Sequence, residues 1–261
     1  MKARTIETKR GARCRVLEAG SGMPLVFFHG AGGLLADNPF LDQLAARYHV
    51  FAPELPGYGE STGEELLEDM LDFTLHGWDV VAALGLTKPH LVGHSMGGMI
   101  TAEMAAIAPG DLDKLVLVAA AGLWIEEHPI PDIFAMLPGQ LVELLFQDPV
   151  KGMALLTGGA DFSDMEVFKA FYLGQQRRLA MAGKILFPIP NRRVSKRLYR
   201  VAAAKTLVLW GGADKLIVPA YAERWGRLIP GATVEVVPGA GHMLPYEEPA
   251  AFVGAVSRFL G

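Results

Sequence analysis

Short apolar runs bounded by glycine or proline alternate along this chain with stretches whose apolar residues return every three or four positions. Residues 24–30 (PLVFFHG), 48–54 (YHVFAPE), 89–94 (PHLVGH), 114–120 (KLVLVAA), 205–211 (KTLVLWG) and 233–239 (TVEVVPG) are of the first kind and read as strands. A run apolar throughout, such as 24–30, is the pattern of a strand buried on both faces. Residues 4–9 and 13–18 alternate about a Gly11 turn, as an antiparallel pair would. Between these lie helical patterns at 40–47, 64–85, 95–108, 219–228 and 247–260, the second ending at Gly85 where a C-cap glycine belongs.

Strand and helix taking turns predict an α/β fold: a mostly parallel sheet of about eight strands with helices on both faces. The alternation breaks after Gly122. Residues 123–200 hold only helical patterns such as GQLVELLF and MEVFKAFYLGQQRRL, and the strands then resume. The expected organisation is therefore a core of residues 1–122 and 201–261. A helical cap, residues 123–200, is inserted after strand six.

The 261 residues carry a net charge of −4 and a single cysteine, Cys14, with a mean hydropathy of +0.27. The charge gives no footprint for nucleic acid or an anionic membrane. One cysteine excludes an internal disulfide and a cysteine-based metal cluster, and Cys14 is expected to be inert in the second strand. No apolar stretch approaches the ~18 residues of a membrane span, and MKARTIETKR lacks the apolar segment of a secretory signal. A cytoplasmic location is expected, and oligomerisation is left open.

Chemistry concentrates where strand meets helix. Gly93-His94-Ser95-Met96-Gly97 has the form G-x-S-x-G between a strand and a helix, the setting that motif requires. Small residues on either side of a serine let the chain reverse sharply and project the hydroxyl, while the helix N-terminus offers free N–H groups. A bare five-residue match is also what an incidental glycine-rich turn would give. A serine needs a base, and His242 lies in a glycine-rich loop just after the last strand. Asp214 follows the penultimate strand in the same way, where it could equally form an Asx turn. Ser95, Asp214 and His242 thus stand at three strand ends, in the order Ser, Asp, His. The loop His29-Gly30-Ala31-Gly32-Gly33 follows the first buried strand. It lacks the lysine and spacing of a phosphate-binding loop. Its expected role is to supply one oxyanion-hole N–H, from Ala31 with Gly32 as the alternative, beside that of Met96.

The segments FFHGAGG (27–33), PELPGYGEST (53–62), LVGHSMGG (91–98), LVLWGGADKLIVP (207–219) and VVPGAGHMLPYEEP (236–249) together resemble the α/β-hydrolase superfamily, in its branch of small capped bacterial enzymes. The resemblance implies Ser95 as nucleophile, His242 as base and Asp214 as its orienting acid, with no metal or organic cofactor. Relatives with an aspartate nucleophile are set aside by Ser95. Meta-cleavage carbon–carbon hydrolases typically carry Trp after the histidine, where this chain has Met243. The expected activity is cleavage of small carboxylic esters with an apolar acyl or aryl group. Carbon–carbon bond hydrolase and lactonase are the alternatives with the same residues, and a ligand-binding receptor is the non-enzyme alternative.

In the cap, the large apolar residues Phe134, Leu137, Leu141, Phe146, Met153 and Phe168 are expected to form mainly a small core. Trp124 is the expected pocket residue. The basic run Arg192, Arg193, Lys196, Arg197 and Arg200 reads as a solvated helix face.

Overall fold

The apolar runs form the sheet, and its order explains where the glycine-rich loops meet. The computed structural model describes residues 1–188, 194–203 and 205–261. Its strands are β1 (Lys2–Glu7), β2 (Arg13–Ala19), β3 (Pro24–Phe28), β4 (His49–Pro53), β5 (His90–His94), β6 (Lys114–Val118), β7 (Lys205–Gly211) and β8 (Thr233–Val237). They lie in the order β1-β2-β4-β3-β5-β6-β7-β8. β2 is antiparallel to both β1 and β4, and every other neighbouring pair is parallel. This is the eight-stranded, mostly parallel α/β sheet expected. After β4 the chain crosses to the other side of β3, so the topological switch falls between β3 and β5. Open α/β sheets bind ligands in the crevice at that point, beyond the carboxyl ends of the strands. The 29–33 loop and Ser95 both lie there.

Helices α1 (Pro39–Ala45), α2 (Met70–Ala83) and α3 (Met96–Ile107) follow β3, the 54–69 segment and β5. The pattern predicts one helix over 64–85, but α2 begins only at Met70. The Asp69 carboxylate accepts the N–H groups of Leu71 (2.9 Å) and Asp72 (3.0 Å), which fixes a helix start there. Residues Glu64–Leu66 make a separate 3-10 turn. The C-terminal end is as expected. Gly85 sits at φ +70°, its N–H reaches Ala82 O, and the Leu86 N–H reaches Val81 O at 3.1 Å, a Schellman closure. α3 is unusual: every residue from Met96 to Ala106 is buried.

Between β6 and β7 stand α4 (Pro138–Leu145), α5 (Pro149–Thr157) and α6 (Met165–Leu186), followed by 3-10 turns at Val194–Lys196 and Leu198–Ala203. α6 is tied to the 54–69 segment. Arg177 bonds Ser61 O at 2.8 Å and Glu64 Oε1 at 2.6 Å, and Lys184 bonds Glu64 O and Leu67 O at 2.8 and 2.7 Å. The expected apolar core of this insertion is only partly realised. Phe146 and Val142 are buried, but Leu137 is 69% exposed, and Met153 and Phe168 are also exposed. α4 packs on α5 and α6 is held to the 54–69 segment, so the outer faces of these helices have no second layer to cover them.

The basic run is a solvated face only in part: Lys196 is exposed, but Arg197 and Arg200 turn back onto α3. Arg192 and Arg193 lie outside the described residues. Arg197 pairs with the buried Glu103 of α3, its Nε 2.7 Å from Oε2, and Arg200 bonds the carbonyls of Ala106 and Ile107 at the end of α3. A guanidinium is well placed there, because the last carbonyls of a helix lack intrahelical partners and carry partial negative charge.

After β7 come α7 (Ala220–Leu228), then β8, α8 (Leu244–Glu247) and α9 (Pro249–Leu260). The pattern over 247–260 corresponds to α9; the short α8 is not predicted and lies within the loop that carries His242. Pro249 at the first position of α9 divides them. Among the described residues no helix is long and apolar enough to cross a membrane.

Candidate functional site

Ser95 is the residue between β5 and α3, and its backbone is held at φ +54°, ψ −114°. A side chain in this region costs on the order of 1–3 kcal/mol and persists only where the surroundings fix it. They do so here. The Ser95 N–H donates to Val118 O (2.8 Å), and its carbonyl accepts from Ala121 N–H (3.0 Å) and Met99 N–H (3.2 Å). The glycines make the close approach possible. A Cβ on Gly97 would lie 2.2 Å from Phe28 O, and one on Gly93 would lie 2.3 Å from Thr101 Oγ1. Both clashes are with the elements that must pass closest to the turn.

The Ser95 Oγ lies 3.0 Å from His242 Nε2, and His242 Nδ1 lies 2.8 Å from Asp214 Oδ2. A carboxylate can only accept, so Nδ1 carries the proton and Nε2 is left to accept from the serine hydroxyl. The other carboxylate oxygen, Asp214 Oδ1, accepts the N–H groups of Leu216 (2.9 Å) and Ile217 (2.8 Å). The Asx turn and the contact to histidine are therefore not alternatives; each uses its own oxygen. All three side chains are buried.

The 29–33 loop runs beside them. A Cβ on Gly30 would sit 3.2 Å from Ser95 Cβ, and the loop is closed by Gly33 N–H to Gly30 O at 3.0 Å. Among the described residues no hydrogen-bond acceptor meets the N–H of Ala31 or Gly32. Met96, the first residue of α3, has an N–H with no intrahelical acceptor. His29 anchors the loop. Its Nε2 accepts the Leu55 N–H at 3.1 Å, which leaves Nδ1 to donate to Gly30 O at 2.8 Å. Burial pushes this imidazole down to about 4, so it is neutral.

His94 was not singled out by the pattern. Its Nε2 donates to the carbonyl of His242 at 2.9 Å, and burial lowers its pKa to about 3. It ties the strand that carries the serine to the loop that carries the histidine. Its sequence signal was only adjacency to Ser95.

A cleft of about 510 Å³ opens past the 29–33 loop, among Leu34, Leu35, Leu156, Phe171, Glu54 and Arg178. Arg178 of α6 bonds Gly32 O at 3.1 Å, and its main chain accepts the Tyr58 hydroxyl at 3.3 Å. Trp124 is elsewhere. It lines a separate cleft of about 490 Å³ with His128, Glu223, Arg224 and Arg227. Cys14 is buried in β2, its thiol pushed up to about 12 by burial. Among the described residues no cluster of His, Cys, Asp and Glu could hold a metal ion.

A switch-point serine facing a strand-end histidine and aspartate, on this sheet, is the arrangement of an α/β-hydrolase. Residues 25–255 match the alpha/beta hydrolase family, and the chain belongs to it. It is 33% identical to the dihydrolipoyllysine-residue acetyltransferase component of the acetoin cleaving system of Cupriavidus necator, over 96% of this chain and 67% of that protein. It is 30% identical to Lipase 1 of Psychrobacter immobilis, over 85% of this chain and 72% of the lipase. Its fold is similar to that of a meta-cleavage product hydrolase from Pseudomonas fluorescens IP01, with a TM-score of 0.79 at 21% identity, over 98% of this chain and 97% of the other.

Proposed function

We propose that this protein is a serine hydrolase that cleaves small carboxylic esters through an acyl-enzyme. The observation that carries this reading is the continuous relay Ser95 Oγ–His242 Nε2 at 3.0 Å and His242 Nδ1–Asp214 Oδ2 at 2.8 Å. Ser95 attacks the ester carbonyl while His242 takes its proton; Asp214 holds the neutral imidazole in the productive tautomer and stabilises the imidazolium that forms. The N–H groups of Ala31 and Met96, with Gly32 as the alternative to Ala31, receive the oxyanion, each worth about 3 kcal/mol of the barrier. His242 then protonates the leaving alcohol, and water repeats the sequence on the acyl-enzyme. No step calls for a metal or an organic cofactor.

The helices of 123–200 act as a cap over the site in this reading. An apolar acyl or aryl group is part of this reading; Leu34, Leu35, Leu156 and Phe171 offer apolar surface in the cleft past the 29–33 loop, beside Glu54, Asp37 and Arg178. The likeness to Lipase 1 supports an ester bond. The test is intact mass after incubation with a fluorophosphonate, alongside turnover of short to medium acyl p-nitrophenyl esters. Wild type gains one adduct and turns over; Ser95→Ala stays folded and does neither. An unlabelled wild-type protein, or a Ser95→Ala variant with wild-type rates, would overturn the assignment.

A further inference from the structure

The loop that carries His242 is gripped from a direction the relay itself does not require. Glu247, one turn further along in α8, reaches back with both carboxylate oxygens. Oε2 accepts the N–H of Gly241, the residue before His242, at 3.0 Å, and Oε1 accepts the N–H of Gln147 at 2.6 Å. Gln147 lies just past α4, in the insertion between β6 and β7. Its own amide Nε2 donates to Ala213 O at 2.6 Å, the residue before Asp214. The Met243 N–H, on the other side of His242, donates to Leu145 O at 3.2 Å. Gly241 is required by this closeness, since a Cβ there would sit 2.7 Å from Glu247 Oε2 and 3.2 Å from Leu145 O.

The residues flanking the base and the residue before the acid are thus all fastened to one three-residue stretch, 145–147, through one carboxylate, one side-chain amide and one main-chain bond. Two N–H groups converging on a carboxylate form charge-assisted bonds, roughly twice as strong as neutral ones. His94 supplies the opposing hold, on the His242 carbonyl.

We propose that Glu247 is a positioning residue that, with Gln147, sets the register between the His242 and Asp214 loops and couples it to the seating of the insertion. It touches no reacting atom and acts through His242. The inference rests on the hydrolase reading above. The position matters because displacing a catalytic group by about 1 Å can cost on the order of 100-fold in rate. It also implies that the exit of α4 is a fixed part of the catalytic frame.

The test compares Glu247→Ala, Glu247→Gln, Gln147→Ala and the double variant Glu247→Ala/Gln147→Ala, with His242→Ala as reference. Rates of the Glu247 and Gln147 variants are expressed per site titrated with fluorophosphonate to completion, and that of His242→Ala, which lacks the base for Ser95, per folded protein by thermal unfolding, so that loss of folded protein does not count. Glu247→Ala should lower kcat per titrated site about 10–100-fold with KM changed less than about threefold. Glu247→Gln keeps one acceptor and should fall between Glu247→Ala and wild type. Gln147→Ala should show a smaller loss, and the double variant should lose less than the product of the two single losses, because both act on one connection.

Wild-type kcat per titrated site in Glu247→Ala, with His242→Ala strongly impaired, would overturn the positioning role and leave the hydrolase reading intact. Wild-type rates in His242→Ala would overturn that reading instead. If Glu247→Ala does not fold, Glu247→Gln and Gln147→Ala decide the question, and wild-type constants in both would overturn the proposal.

Discussion

Replacing Asp214 by Asn tests the relay more sharply than deleting it would, because the surroundings dictate how the amide must lie. Asp214 Oδ1 faces two donors, the N–H groups of Leu216 and Ile217 at 2.9 and 2.8 Å. An amide can satisfy them only with its oxygen, so its NH2 is driven to the place of Oδ2, 2.8 Å from His242 Nδ1. A donor at that point obliges Nδ1 to accept. The proton must then sit on Nε2, 3.0 Å from Ser95 Oγ, and the ring can no longer take the serine's proton. The geometry survives and the tautomer is wrong. Such a swap lowers kcat by about 10⁴-fold in a serine–histidine–aspartate site, or roughly 5.5 kcal/mol of barrier. Folding should hardly notice. Both turn hydrogen bonds remain, and the loss of one charge-assisted bond is on the order of 1–2 kcal/mol. The measurement is kcat/KM on a p-nitrophenyl ester together with thermal unfolding. A loss below about tenfold in a protein of wild-type Tm would show that Asp214 does not set the tautomer, and the relay as drawn would be wrong.

Two further outcomes follow from the packing and the buried imidazoles. Gly97→Ala places a methyl 2.2 Å from the Phe28 carbonyl, so β3 and α3 must part by about 1 Å, whereas Gly110→Ala meets nothing within 4 Å. The first should cost about 3 kcal/mol or more and the second lie within about 1 kcal/mol of wild type; equal urea midpoints for the two would refute the close-approach argument. His29 and His94, held by burial at about 4 and about 3, lie below the unfolded value of about 6.5. Their contribution to stability is complete above pH 6.5 and declines as pH falls toward those values, by up to about 1.4 kcal/mol per unit for each ring. Tm should therefore be flat from pH 7 to 8 and drop between pH 6 and 5; an unchanged Tm at pH 5 would mean that these rings are not buried neutral.

The sheet was legible in the sequence because strands buried on both faces are apolar throughout, and no helix of comparable length reads that way. Boundaries failed where a single side chain decides them. Asp69 starts α2 by capping it, and the one-turn α8 before Pro249 is too short to show a period; both are invisible to periodicity. The insertion was legible as helical but not as to what it buries. Arg197 and Arg200 look like a solvated face until Glu103 and the carbonyls ending α3 are seen to meet them. Ser95, Asp214 and His242 could be named because each occupies a strand end. Trp124 rested on proximity in sequence alone and lines another cleft. His94, Gln147 and Glu247 act through backbone atoms of distant loops, which leave no pattern.

The complete burial of α3 carries a consequence for changing what this protein acts upon. From Met96 to Ala106 no face of the helix meets solvent, and Gly97 and Gly98 already touch backbone or Cβ atoms of their neighbours. A helix of twelve residues is about 18 Å long. Along that length almost any enlargement would push against the strands that hold Ser95. Libraries aimed at new substrates would find few tolerated members there. The exposed apolar residues of α5 and α6 and the walls of the cleft beside Leu34 and Phe171 are not packed in this way, so under the proposed reading substitutions there are the ones to test for altered selectivity.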